Sequence, residues 1–227
     1  PSWARFDRRA GRGLCRRAVA DQTPSASLGE ARRRYLEGAP RVPEQGLDLA
    51  EIFSKTTEIE MEIGFGRGGF LIGRAGVVPA THLIGIEIKS KWAFLVAQRC
   101  RALGLERVRP LAGDARHALP GIRPAGALAR VFLHFPDPWW KKRHTKRRVL
   151  TPALLVEVER LLRPGGEVFV QTDVPERCDE HETLLRAHGG FVVSRVAENP
   201  YGARSNREAR AMADGLPIYR LLATKGA

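Results

Sequence analysis

The sequence predicts an α/β fold, with a largely parallel sheet covered by helices on both faces. Three observations lead there. From residue 56 onward, short apolar runs alternate with helical patterns in β-α-β order. The first strand candidate ends in a glycine-rich turn, Gly64-Phe65-Gly66-Arg67-Gly68-Gly69. Acids stand at the ends of successive strand candidates, where open parallel sheets bind their ligands.

The elements follow in order. Residues 59–63 form a short strand closed by the glycine turn, and 68–78 a helix stopped by Pro79. Residues 83–88 form a second strand. Residues 91–103 have helical spacing, with Gly104 placed to end the helix. Strands at 108–111 and 131–135 come next, the latter closed by Pro136. A helix over 152–162 has Pro152 in its first turn and Pro164-Gly165-Gly166 after it. Residues 167–172 are a strand, 175–188 a helix, and 191–196 and 218–223 the remaining strands. No internal repeat is present.

A chain of 227 residues, 43% of them hydrophobic, can bury a real core in one domain. Its first part differs. Arg5, Arg8, Arg9, Arg12, Arg16, Arg17 and then Arg32, Arg33 and Arg34 are interrupted by few large apolar residues. The expected organisation is a mobile basic arm over 1–45 and a catalytic domain over 46–227. The 38 Lys and Arg against 25 Asp and Glu leave a net charge of +13, which argues for a polyanionic partner. No apolar run is long enough to span a bilayer, so no membrane partner is expected. Cys15, Cys100 and Cys178 are widely spaced and odd in number. That pattern suits neither a disulfide framework nor a zinc site, and a reducing cytoplasm is the expected compartment. Monomer and homodimer are both compatible with the sequence.

Two constellations carry chemistry. At the glycine turn, Gly64 and Gly66 let a ligand approach the backbone. Glu87 ends the next strand about 20 residues later, where an acid commonly holds ribose hydroxyls. Asp114 follows the third strand and can face an adenine edge, and Glu62 ends the first. Together with Asp137, these carboxylates suit a cationic cofactor such as S-adenosylmethionine better than an anionic dinucleotide. The second constellation is Phe135-Pro136-Asp137-Pro138-Trp139-Trp140, followed by Lys141, Lys142, Arg143, His144, Lys146, Arg147 and Arg148. Two prolines restrict the backbone around Asp137. The cations are expected to contact phosphates, which position an RNA without reading it. Trp139 suits packing beneath the loop, and the role of Trp140 is open.

On Glu62-Ile63-Gly64-Phe65-Gly66, Gly85-Ile86-Glu87, Asp114-Ala115, the Pro-Asp-Pro-Trp segment with its basic tail, Thr172-Asp173 and Ser205–Glu208, the chain resembles the bacterial tRNA (guanine-N7-)-methyltransferases of the TrmB family. The likeness runs from about residue 47 to the end. It implies a Rossmann-like class I methyltransferase fold, a seven-stranded, mostly parallel sheet with an antiparallel last strand. It also implies methyl transfer from S-adenosylmethionine to N7 of a guanine in the tRNA variable loop. Glu62, Glu87, Asp114 and Asp137 match the family's cofactor residues, and Asp137 its active-site position. Lys141, Asp173, Ser205, Asn206, Arg207 and Glu208 match the substrate positions. Trp140 stands where the family often has proline. Arg207 stands where it has an aromatic residue, which removes a stacking face.

Guanine N7 carries an in-plane lone pair and needs no base to deprotonate it. An in-line displacement driven by proximity and electrostatics is expected, with no metal and no covalent enzyme intermediate. Asp173 or Glu208 is placed to accept from the guanine N1–H and N2–H₂ donors. Three rivals compete. The Pro-Asp-Pro-Trp segment has a loose likeness to motifs of exocyclic-amine methyltransferases, but its basic tail fits the guanine-N7 family better. A nicotinamide dehydrogenase lacks a hydride-partner His or Tyr here. A non-catalytic RNA-binding module would have no use for the glycine turn and its acids.

Overall fold

The computed structural model describes residues 28–53, 58–136 and 148–226. In chain order the elements are α1 (Leu28–Gly38), β1 (Leu47–Asp48), α2 (Leu49–Ile52), β2 (Ile59–Ile63), α3 (Gly69–Val77), β3 (His82–Glu87) and α4 (Ser90–Ala102). Then come β4 (Val108–Ala112), α5 (Ala115–Ala118), a 3₁₀ turn (Leu119–Gly121), β5 (Ile122–Arg123), β6 (Leu128–His134), α6 (Pro152–Leu161) and β7 (Leu162–Thr172). The last are α7 (Pro175–His188), β8 (Phe191–Arg195), α8 (Asn206–Ala213) and β9 (Tyr219–Lys225). Seven strands form one sheet in the order β4-β3-β2-β6-β7-β9-β8. All its pairings are parallel except those of β9, which runs antiparallel to both β7 and β8. The order reverses between β3–β2 and β6, which opens the crevice where such sheets bind ligands.

The strands are buried on both faces. Met61, Ile63, Ile84, Ile86, Val131, Leu133, Val168 and Val170 share one core with apolar residues of α2, α5, α6 and α7. On the other face, Phe65, Leu71 and Leu83 pack with Ala93, Val96 and Cys100 of α4. Gly85 of β3 makes that approach possible, because a Cβ there would lie 2.5 Å from the Phe65 ring. Further along this face, Phe70, Phe132, Phe169 and Tyr201 form an aromatic layer.

Below that layer lies a buried ionic belt. Glu60, fully buried, accepts from Arg74 Nε and Nη2 at 2.8 and 2.7 Å and from Arg130 Nη1 at 2.9 Å. Arg130 Nε donates to Glu167 at 2.8 Å, and these partners hold the Arg130 pKa above its ordinary value. The Ile-Glu-Met-Glu-Ile alternation of β2 sends both Glu60 and Glu62 to this face. Of the cations opposite, Arg130 comes from the same alternation in β6 and Arg74 from α3.

Several elements depart from the sequence reading. Residues 35–42, within the span expected to be a mobile arm, are packed on the domain. Tyr35 of α1 meets Phe94 of α4 edge-on at 5.5 Å, Ala39 is buried, and Val42 N–H donates to the Ala112 carbonyl at 3.1 Å. The arginines hid this spaced apolar pattern; residues 1–27 lie outside the described residues. The strand expected from residue 167 begins at Leu162: β7 pairs with β6 at Leu128↔Leu162 and again from Arg130↔Glu167, with Pro164-Gly165-Gly166 in the irregular stretch between. Helix α8 was missed, although Ser-x-x-Glu at 205–208 is a helix-start signature.

His181 of α7 is buried, and that burial pushes its pKa down to about 4, with Arg177 and Arg148 adding to the effect and Glu180 opposing it. The unfolded chain takes up this proton from about pH 6.5 downward, and the folded chain does so only near pH 4. The histidine's contribution to stability is therefore intact above pH 6.5 and falls away as pH drops towards 4. The full loss is on the order of 3 kcal/mol. His181→Leu is expected to flatten this limb of a plot of urea midpoint against pH. Parallel limbs for both proteins would refute the assignment.

Candidate methyl-transfer site

The site lies at the carboxyl ends of β2, β3, β6 and β7. It is a cleft in two continuous halves, of about 510 and 520 Å³, that share Gly64, His134, Phe135 and Pro136.

The first half holds Glu87 and Asp114. Gly64, Gly66 and Gly68 all adopt positive φ, so the turn after β2 folds back under the end of β3. Glu87 is locked in place. Its two carboxylate oxygens accept from the backbone N–H groups of Gly66 and Lys89, each at 2.9 Å. Asp114 caps α5 by accepting from Arg116 N at 3.0 Å, and the Arg116 guanidinium binds both its oxygens. That guanidinium hydrogen bond holds the Asp114 pKa below its usual value. A ligand therefore meets an ionised Asp114 with an arginine beside it.

The second half is floored by Glu62 and His134, which were far apart in the sequence. Their side chains are each 2% exposed, and His134 Nδ1 lies 2.9 Å from Glu62 Oε1. Glu62 Oε2 and His134 Nε2 are buried with no hydrogen-bond partner among the described residues. The sequence reading named Glu62 and missed His134. The signal was available: His134 ends β6 in step with Phe132, on the face that Glu62 shares. The next residue, Phe135, holds φ 52°, costly for a non-glycine residue, and leads straight into Pro136 and Asp137.

Asp173, Ser205, Asn206 and Arg207 line the same half. Arg207 pairs with Asp173, so the acid expected to read guanine already holds a guanidinium. Asn206 Oδ1 accepts from Gly69 N at 3.0 Å, tying α8 to the start of α3. The Ser205 hydroxyl caps α8 by accepting from Glu208 N at 3.1 Å.

Glu208 is not in the cleft. It is fully buried beneath α8 and accepts from Gln171 Nε2 at 2.9 Å, Asn199 Nδ2 at 3.0 Å and Arg220 Nη2 at 3.3 Å. Its carboxylate is spoken for by the protein interior. Arg148, expected to contact phosphate, pairs with Glu180 of α7 at 3.2 Å. Asp137, Lys141, Lys142, Arg143, Lys146 and Arg147 lie outside the described residues.

This sheet order, with a glycine turn and acids at the strand ends, defines a Rossmann-like methyltransferase. In agreement, the family described as "Putative methyltransferase" matches residues 56–221. The sheet is shared with a SAM dependent methyltransferase from Aquifex aeolicus, at TM-score 0.53 and 17% identity, covering 78% of this chain and 87% of that one. It is shared too with the 16S rRNA methyltransferase KamB, at TM-score 0.55 and 13% identity over 78% and 92%. Sequence relatives are more specific. The tRNA (guanine-N(7)-)-methyltransferase of Nitrosococcus oceani is 35% identical over 77% of this chain and 75% of its own length. That of Anaeromyxobacter dehalogenans is 39% identical over 74% and 85%. The chain belongs to the tRNA (guanine-N7-)-methyltransferase family.

Proposed function

We propose that this protein transfers a methyl group from S-adenosylmethionine to N7 of a guanine in the variable loop of tRNA. The observation that carries the reading is the acid-lined cleft in a chain of net charge +13, with one buried carboxylate oxygen, Glu62 Oε2, unpaired among the described residues. An unpaired buried carboxylate oxygen is costly unless a donor meets it. The cofactor's ammonium is such a donor. Gly64 and Gly66 fit the same group, since nothing lies within 4 Å of where their side chains would be.

The residues divide the work by position. Glu62 would hold the ammonium, Glu87 the ribose hydroxyls, and Asp114 the adenine edge. When bound, S-adenosylmethionine supplies an electrophilic methyl group on a sulfonium. The protein then has to bring the guanine N7 lone pair into line and exclude water. Positive charge passes to the guanine ring during the transfer, and carboxylates beside the ring favour that passage. Asp173 serves here and accepts from the guanine N1–H and N2–H₂ groups, with Arg207 holding it in place. Asp137, flanked by Pro136 and Pro138, is the residue assigned to act on the two substrates. Lys141, Lys142, Arg143, Lys146 and Arg147 meet phosphates. No described helix is long and apolar enough to cross a membrane.

The test uses unmodified tRNA, the full chain and labelled S-adenosylmethionine, followed by strand scission specific to N7-methylguanine. Label is expected at one guanine of the variable loop. Label on an exocyclic amine, or none, overturns the reading. Asp137→Asn is expected to lower kcat by about a hundredfold or more.

A further inference from the structure

A second surface lies outside the cleft and is joined to it by one side chain. Arg67, exposed on the glycine turn, lines the cleft and also a separate shallow groove of about 490 Å³ along α4. The groove is floored by Trp92, Leu95, Val96 and Ala102 and edged by Arg67 and Arg99. Trp92 is half-buried, with the Arg67 guanidinium 5.3 Å and the Lys91 ammonium 5.5 Å from its ring centre. Helix α4 carries Lys91, Arg99 and Arg101 and no acid. Exposed Arg32, Arg33 and Arg34 of the neighbouring α1 extend the same charge. By contrast, Arg177 and Arg186 of α7 are each paired with an acid of their own helix.

An apolar floor with an aromatic ring, over which the Arg67 and Lys91 side chains stand, is a composition that holds an unpaired nucleotide. The base stacks or packs on the floor while the phosphates meet the cations. A groove edged by arginines is poorly matched to a second copy of a chain with net charge +13. Its place beside Arg67 sets the geometry, since a strand that puts its target base in the cleft brings its neighbours past Arg67. We propose that this groove binds an unpaired nucleotide of the tRNA close to the target guanine, its base on Trp92 and its phosphates on Arg67 and Arg99. The assignment rests on tRNA being the substrate and adds a contact that no cofactor residue makes.

The experiment compares the full chain with Trp92→Ala, Trp92→Phe and Arg99→Glu. Affinity for unmodified tRNA is measured by filter binding across a salt series, and affinity for S-adenosylhomocysteine by calorimetry. Trp92→Ala is expected to weaken tRNA binding about tenfold or more, while Trp92→Phe keeps most of it. Arg99→Glu is expected to weaken binding and lower the salt slope by about one. All three should bind S-adenosylhomocysteine as the parent does. Unchanged tRNA affinity in Trp92→Ala or in Arg99→Glu overturns the groove. So does a parallel loss of S-adenosylhomocysteine affinity in Arg99→Glu, or a dimer of the parent that Trp92→Ala dissolves. A parent that binds tRNA normally but methylates another base refutes the proposed reaction and leaves the groove standing.

Discussion

Glu208→Ala is expected to lower the stability of the protein by about 3–5 kcal/mol, the usual cost of stranding one partner of a buried ion pair. The carboxylate is fully buried and holds Gln171, Asn199 and Arg220 together. Removing it leaves the Arg220 guanidinium, 9% exposed, without its acid, and takes the acceptor from Gln171 Nε2 and one of the two acceptors from Asn199 Nδ2. Glu208→Gln keeps the shape and one acceptor oxygen, but it too leaves Arg220 without its acid and turns an N–H₂ towards donors, so it should recover only part of the loss. The measurement is the urea midpoint of both variants, beside the tRNA affinity of whatever folds. A direct contact between Glu208 and guanine predicts the reverse pattern, with normal midpoints and weak tRNA binding. That pattern would show that the buried cluster is not what holds Glu208.

The second large effect belongs to the floor of the cleft. Glu62→Gln should weaken cofactor binding by about ten- to a hundredfold, because a hydrogen bond to a charged group contributes about 1.5–3 kcal/mol. His134→Phe should act in the same direction. A phenyl ring suits the layer of Phe70, Phe132 and Phe169 around it, with Phe70 only 4.2 Å away, but it removes the partner of Glu62 Oε1. Among the described residues the carboxylate then has no partner on either oxygen and is free to turn. The informative comparison is calorimetry with S-adenosylmethionine and with S-adenosylhomocysteine, which keeps the ammonium and lacks the sulfonium. If Glu62 holds the ammonium, both ligands weaken equally. Weakening of S-adenosylmethionine alone would move Glu62 to the sulfonium, and no change in either would remove it from the site.

Much of this site can be read along the chain. Glycines at 64, 66 and 68, an acid at the end of each of three strands, and Pro-Asp-Pro after a fourth are local patterns, and parallel sheets bring such positions to one edge. The strand at Ile59–Ile63 and the helix at Pro175–His188 stand where their spacing puts them. Ser205–Glu208 shows where this kind of reading stops. The family resemblance makes its four residues one substrate-facing group. The helix that Ser205 caps instead turns Arg207 towards Asp173 and Glu208 into the interior. Side chains on consecutive helical positions point about 100° apart, so a motif shared along the sequence need not share a destination.

The fold class, the alternation of the main strands and helices, the glycine turn and the acids of the cleft are legible in the sequence. Each follows from local spacing, turn chemistry or the known edge of a parallel sheet. The tertiary structure alone decided the partners. His134 meets Glu62 across 72 positions of chain, and Glu208 meets Gln171 across 37. The apolar side of α1, hidden among arginines, finds α4. Periodicity says which face a side chain takes. Strand register and helix packing say what stands opposite it, and a buried charge is stable only where that neighbour answers it.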